Sequence, residues 1–135
     1  MFHYEAAPHH VHFGAGIRDK VGAEIGRLGA SRPFLVSTRG QIARASDYVG
    51  GLDLAGSFDG AAMHTPVEVS TVAERAFADV SADLIISFGG GSAAGLGTAL
   101  AARTGRPLIA VGTTYGGSEM TALIGETEAG VKRAR

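Results

Sequence analysis

Between residues 17 and 28 the apolar side chains fall at Ile17, Val21, Ile25 and Leu28, spaced four, four and three, with Arg18, Asp19, Lys20, Glu24 and Arg27 between them. That period puts one apolar stripe on a helix, and Gly29 supplies a stop. Upstream, Val11 and Phe13 alternate with polar neighbours before Gly14-Ala15-Gly16. The alternation predicts a strand over 9–13, with 2–5 available to pair with it as an N-terminal β-hairpin. Residues 34–36, 83–88 and 108–111 are apolar without alternation and break into polar or glycine-rich loops, the pattern of strands covered on both faces. Helices are predicted at 41–49 and at 70–80, where Val72, Ala73, Ala76, Phe77 and Val80 share a side; 93–102 is alanine-rich and helix-compatible. Residues 54–58 give a weak strand, and 122–135 reads as one extended piece with a basic end. Strands alternating with helices specify an α/β fold: a Rossmann-like, mostly parallel sheet with helices on both faces, plus the N-terminal hairpin.

Composition narrows the function. At 135 residues the chain has room for one core. Twelve Lys and Arg against thirteen Asp and Glu leave no cationic surplus for a phosphate backbone, so no nucleic-acid partner is expected. No apolar run approaches ~20 residues, so no membrane span is expected, and Met1-Phe2-His3-Tyr4-Glu5 does not begin a secretory signal. The absence of cysteine removes disulfides and thiolate chemistry and fits a reducing cytoplasm.

The 21 glycines cluster where strands end. In an open parallel sheet, ligands sit outside the carboxyl ends of the strands, near the point where strand order reverses. Three polar loops lie at such ends: Ser37 and Thr38, then Gly89, Gly90, Gly91 and Ser92, then Thr113, Thr114, Tyr115 and Ser118. Glycines between a strand and a helix let backbone amides approach a phosphate, with Ser92 as helix cap or phosphate donor. Gly89-x-Gly91-x-x-Ala94 satisfies the dinucleotide fingerprint only formally: it does not follow the first strand and lacks the acidic residue about 20 positions on. A P-loop fits worse, because Leu96-Gly97 stands where Lys and Ser or Thr are required. Three converging loops suit a dinucleotide, whereas a stand-alone phosphate-sensing module and an unliganded interaction domain remain open alternatives. Glu119 is a candidate base or helix-dipole partner, and Tyr115 can stack on a flat ring or simply pack. His10 and His12 have a metal-compatible spacing, but neither carboxylate nor cysteine accompanies them in the sequence, so no metal is expected there.

With Phe88-Gly89-Gly90-Gly91-Ser92 followed by Thr113-Thr114-Tyr115-Gly116-Gly117-Ser118-Glu119-Met120-Thr121, the chain resembles the iron-containing (type III) alcohol dehydrogenase superfamily, and within it the maleylacetate reductases. Val11-His12-Phe13-Gly14-Ala15-Gly16, His64-Thr65-Pro66-Val67-Glu68 and Gly125-Glu126-Thr127-Glu128-Ala129-Gly130-Val131-Lys132 extend the likeness over essentially the whole chain. Two places depart from the superfamily pattern: Gly95 and Thr98 stand where Asp and Lys are usual, and glycine at the first is shared with the reductases. The resemblance implies an NADH- or NADPH-binding N-terminal domain, 1–135, of a homodimeric enzyme reducing maleylacetate to 3-oxoadipate in the breakdown of aromatic compounds. It implies a C-terminal helical domain beyond this chain, which leaves the isolated piece inactive, and it implies no metal. It adds Thr65 and Lys132 as lesser cofactor contacts. The usual Asp after the second family strand corresponds to Thr38, which leaves NADH and NADPH both open.

Overall fold

The computed structural model describes residues 1–3, 9–121 and 124–134. Four parallel strands, β1 (Pro33–Val36), β2 (Gly56–Phe58), β3 (Leu84–Gly89) and β4 (Leu108–Gly112), form a sheet in the order β2-β1-β3-β4. The chain moves outward from β1 to β2, then returns to the other side of β1 to lay down β3. Strand order therefore reverses between β1 and β3, whose carboxyl ends are Val36 and Gly89.

The side-chain alternation of these buried strands sorts the core into two layers. Phe34, Val36 and Ile85 meet α3 (Val67–Asp79) and α4 (Gly91–Thr104), with Phe34 edge-on to Phe77 at 5.5 Å. Leu35, Leu84, Ile86 and Phe88 meet α1 (Lys20–Arg27) and α2 (Ile42–Tyr48) through Val21, Ile25, Ala45 and Val49. Each fully buried aliphatic or aromatic side chain contributes about 1.5–3 kcal/mol, so the unalternated runs at 34–36 and 84–88 carry most of the sheet's cohesion.

Two arginines close helix ends. Arg18, in the short 3-10 turn Ile17–Asp19, donates to the Asp47 and Tyr48 carbonyls at the end of α2; Arg32 donates to the Val80 carbonyl at 2.7 Å, just past α3. Both place a cation on carbonyls at the negative end of a helix. Gly29, with φ +68, ends the α1 region as the sequence suggests.

The N-terminal hairpin is corrected. Residues 9–13 form no strand, and 4–8 lie outside the described residues. His10 and His12 instead bond side chain to side chain with Glu24 of α1, which holds 9–13 beside a helix rather than in a ladder. The antiparallel pair sits near the other end of the chain: 122–135 is not one extended piece, because β5 (Gly125–Glu128) folds back onto β6 (Val131–Ala134). Ala129 and Gly130 turn the chain with φ +48 and +77, the successive positive values a tight hairpin requires. Arg103 of α4 fastens β5 to the body, reaching Glu74 of α3 at 2.9 Å and Glu126 at 3.0 Å. Helix α3 begins at Val67 rather than near 70, because Pro66, fixed at φ −60, stands as its N-cap residue. Among the described residues no helix is long and apolar enough to cross a membrane.

Asp83 ties β3 to the start of β1: its carboxylate accepts from the Arg32 amide at 2.8 Å and the Ser31 amide at 3.0 Å. Burial opposes ionisation there, yet these amide bonds outweigh it and hold the Asp83 pKa below its ordinary value. A depressed folded-state pKa stabilises the fold above the unfolded carboxyl range and loses that contribution as pH falls through the folded value. Asp83→Asn is therefore expected to destabilise the chain by about 1 kcal/mol at pH 7, a figure kept small by solvent exposure. Urea unfolding of both proteins at pH 7 and pH 3 checks this: the gap narrows in acid.

Candidate functional site

The site forms where β1 and β3 end side by side at the reversal of strand order. Gly89 leaves β3 with φ +142, a conformation L side chains rarely adopt, and a Cβ there would lie 3.1 Å from the Ala93 Cβ and 3.2 Å from Gln41 Oε1. Glycine is thus demanded by both backbone and space. Gly90 is the N-cap residue of α4, with no side-chain cap, and the helix starts at Gly91. The first intrahelical bond at this end is Ala94 N–H to the Gly90 carbonyl at 3.0 Å, so the amides of Gly91, Ser92 and Ala93 have no acceptor within the helix. Ser92 is the second helical residue and not the cap. It forgoes the cap because Gly90 already takes the extended conformation, φ −88 and ψ −152, from which the helix springs.

The third loop folds over this helix start. Thr113 N–H donates to the Gly89 carbonyl at 3.0 Å, a Cβ on Gly90 would lie 3.3 Å from Thr114 Oγ1, and one on Gly91 would lie 3.9 Å from Ser118 Oγ. Gly89, Gly90, Gly91, Thr113, Thr114 and Ser118 are therefore one constellation. Tyr115 is almost fully exposed beside it. Glu119 lies close to the end of β4, its Oε1 3.7 Å from where a Gly112 Cβ would stand.

Ser37 belongs to the site differently. It is fully buried, and its hydroxyl donates to the Phe88 carbonyl at 2.7 Å. It clamps the ends of β1 and β3 together, which fixes the glycine loop from behind. Thr38 is half-buried and accepts from the Gln41 and Ile42 amides at 3.0 and 2.9 Å, starting α2. Thr65 is buried with φ +44, under β5, whose Thr127 N–H reaches the Thr65 carbonyl at 3.0 Å. Lys132 is exposed on β6, opposite Thr127.

Gln41 was not among the residues the sequence singled out. Two buried side-chain polar atoms, Gln41 Oε1 and Thr113 Oγ1, have no hydrogen-bond partner among the described residues. One flanks Gly89 from the β1 side, the other follows β4, so they bracket the glycine loop. Buried polar atoms are normally satisfied, and two orphans on either side of free helix amides are what a polar ligand would complete.

The departures at Gly95 and Thr98 have structural causes. A Cβ on Gly95 would lie 2.4 Å from Thr65 Oγ1, so the side chain of Thr65 occupies the room an Asp would need. Thr98 returns its hydroxyl to the Ala94 carbonyl at 2.8 Å and lines the groove beside α4.

A groove of about 990 Å³ runs along β4 past Thr113, Thr114 and Tyr115 to the segment 9–15. At that end the expectation of no metal is overturned. His10 Nδ1 and His12 Nε2 each lie 3.0 Å from Glu24 Oε1, and the three donor atoms fall within 4.8 Å of one another. The carboxylate that the sequence lacked beside the histidines comes from α1, and the signal was present in Glu24 on the polar side of the predicted helix. Bonds from His12, then Arg27, hold the Glu24 carboxyl down at about 2. Two imidazoles and a carboxylate are a donor set suited to divalent transition ions, iron included.

The family model described as iron-containing alcohol dehydrogenase matches residues 8–134. The chain belongs to the iron-containing alcohol dehydrogenase family. Within this family it is 50% identical over 123 residues to maleylacetate reductase 1 of Cupriavidus pinatubonensis, covering 90% of this chain and 35% of that protein. It is 47% identical over 133 residues to the maleylacetate reductase of Rhizobium sp. (strain MTP-10005), covering 97% of this chain and 38% of the other. The crystal structure of the maleylacetate reductase from Agrobacterium tumefaciens superposes with a TM-score of 0.95 at 46% identity, over 100% of this chain and 39% of that one. The chain thus spans little more than a third of the length of these iron-containing alcohol dehydrogenase family members, and all of it falls on their shared architecture.

Proposed function

We propose that this chain is the dinucleotide-binding N-terminal domain of a longer, homodimeric reductase acting on maleylacetate, with NADH or NADPH as hydride donor. The observation that carries the proposal is the pair of orphaned polar atoms, Gln41 Oε1 and Thr113 Oγ1, on either side of the uncapped start of α4. They ask for hydrogen-bonding groups just where the free amides ask for an anion, and a dinucleotide presents both within one molecule.

In this arrangement Gly91 and Ser92 would hold the pyrophosphate through backbone N–H groups, with Gly89 and Gly90 keeping side chains out of its way. Gln41 and Thr38 border the β1 side, where a ribose fits. Thr113, Thr114 and Tyr115 border the other, and Ser118 closes over Gly91. Thr65 and Lys132 stand as outer contacts. Ser37, wholly buried, positions the loop rather than touching a ligand. The bound cofactor supplies a hydride, and the protein supplies the orientation of the carbon that gives it. The identity between 37% and 50% to eight maleylacetate reductases supports that substrate over other small carbonyl compounds.

Calorimetric titration of the 135-residue chain with NADH, NADPH and ATP tests the cofactor. Saturable binding of a nicotinamide dinucleotide, at least tenfold tighter than ATP, is expected. Preference for ATP, or no binding to any of the three, overturns it. Substrate is tested on the chain extended to the length of the reductases, by loss of NADH absorbance on adding maleylacetate. Absence of turnover there, with cofactor bound, would remove the substrate and leave the cofactor.

A further inference from the structure

We propose that His10 Nδ1, His12 Nε2 and Glu24 Oε1 bind one divalent transition-metal ion of the zinc class, clipping segment 9–13 onto α1. Segment 9–13 has no ladder to hold it: it is in no strand. Two histidine rings reach from it to α1, edge-on to each other at 5.4 Å and both pointed at one carboxylate oxygen.

That oxygen is presented, not incidental. Arg27 Nε donates to the other oxygen, Glu24 Oε2, at 2.7 Å, so the carboxylate is oriented from behind while Oε1 faces the rings, as outer-shell partners orient metal ligands. Tetrahedral zinc with bonds of about 2.0–2.1 Å sets its ligand atoms about 3.3 Å apart. The two 3.0 Å separations from Glu24 need to open by a few tenths of an ångström and the two ring nitrogens, which lie within 4.8 Å of each other, to settle at the same spacing, which two exposed histidines on an irregular segment can provide. The His10 and His12 side chains are 58% and 33% exposed, so water can complete the coordination. Nitrogen donors from two imidazoles select zinc, cobalt or nickel over calcium or magnesium, which take oxygen. The role is structural. The clip fixes one wall of the groove that continues to Thr113 and Tyr115, and it does not depend on what binds at the glycine loop.

The test is titration of the 135-residue chain with ZnCl₂ by calorimetry at pH 7.5, beside thermal melts with and without zinc and the visible spectrum of the Co(II) form. One ion per chain is expected, with a raised melting temperature and tetrahedral cobalt colour. Glu24→Gln and His12→Gln should each weaken binding tenfold or more and lose the melting shift, while His64→Gln, remote in sequence and exposed, should match the parent. Circular dichroism confirms that each variant is folded; both substituted positions lie outside the buried core. Absence of saturable one-equivalent binding, or equal binding by folded Glu24→Gln, overturns the proposal.

Discussion

A chain carrying Gly97→Val is expected to lose about 3 kcal/mol of folding stability, seen as a lower urea midpoint with unchanged slope. Gly97 is buried on the face of α4 that lies against β3, where a Cβ alone would stand 2.8 Å from the Ser87 Cβ and 3.0 Å from the Leu108 Cδ1. The first of these cannot retreat. Ser87 is a central-strand residue with 2% exposure, paired with Val36 on one side and Ala110 on the other. Accommodating even one carbon means moving helix from sheet, and valine adds two more. Helix propensity pulls the opposite way, since glycine costs up to about 1 kcal/mol in a helix interior relative to alanine. Gly26 isolates that term: it lies in α1 with nothing within 4 Å of its Cβ position, so Gly26→Ala should stabilise by about 0.5–1 kcal/mol. If both substitutions raised the urea midpoint, the close approach of α4 to β3 would be wrong. The same approach sets where α4 begins, so packing at Gly97 and the free amides one and a half turns earlier are linked through a single rigid helix.

Much of this was legible from residue order alone. Unalternated apolar runs at 34–36 and 83–88, bounded by polar or glycine-rich loops, read as strands covered twice, and the four-four-three spacing from Ile17 reads as a helix stripe; both depend on burial, which the pattern records directly. Glycine followed by helix-compatible alanine located the loop, because the φ of +142 at Gly89 is a demand on residue type. Contacts between distant segments were not legible. Val11 and Phe13 alternate as a strand does, yet the alternation here exposes both and turns His10 and His12 toward Glu24, fourteen and twelve residues away. Periodicity cannot register a tertiary ion pair, so the hairpin was misplaced and the carboxylate that joins the two histidines went uncounted. The orphaned oxygen of Gln41 escaped for a related reason: a glutamine at a helix start looks like an ordinary surface residue until the neighbouring strand is seen to bury it. Ser37 illustrates the converse, a hydroxyl in the right loop whose proton is already given to Phe88.

Substituting proline for Gly91 is expected to leave the fold in place and weaken NADH binding tenfold or more. Gly91 is the first residue of α4, the one helical position where proline fits, since the amide it removes has no acceptor within the helix. The preceding Gly90 is extended, at φ −88 and ψ −152, so the restriction that proline places on its neighbour is already met. Nor is there a clash ahead: the nearest atom to a Cβ at Gly91 is Ser118 Oγ at 3.9 Å. What the substitution deletes is one N–H directed outward from the helix start. A hydrogen bond to a charged group contributes about 1.5–3 kcal/mol, and about 1.4 kcal/mol is a factor of ten in affinity. Gly91→Ala separates the amide from the space around it. It adds the carbon but keeps the N–H, so it should bind NADH within about twofold of the parent, because one methyl in ordinary contact strengthens or weakens little. If alanine weakened binding as much as proline, the loop would be excluding bulk rather than donating hydrogen bonds. If proline bound as the parent does, the pyrophosphate would have to lie elsewhere, and the orphaned oxygens of Gln41 and Thr113 would be left to explain without it.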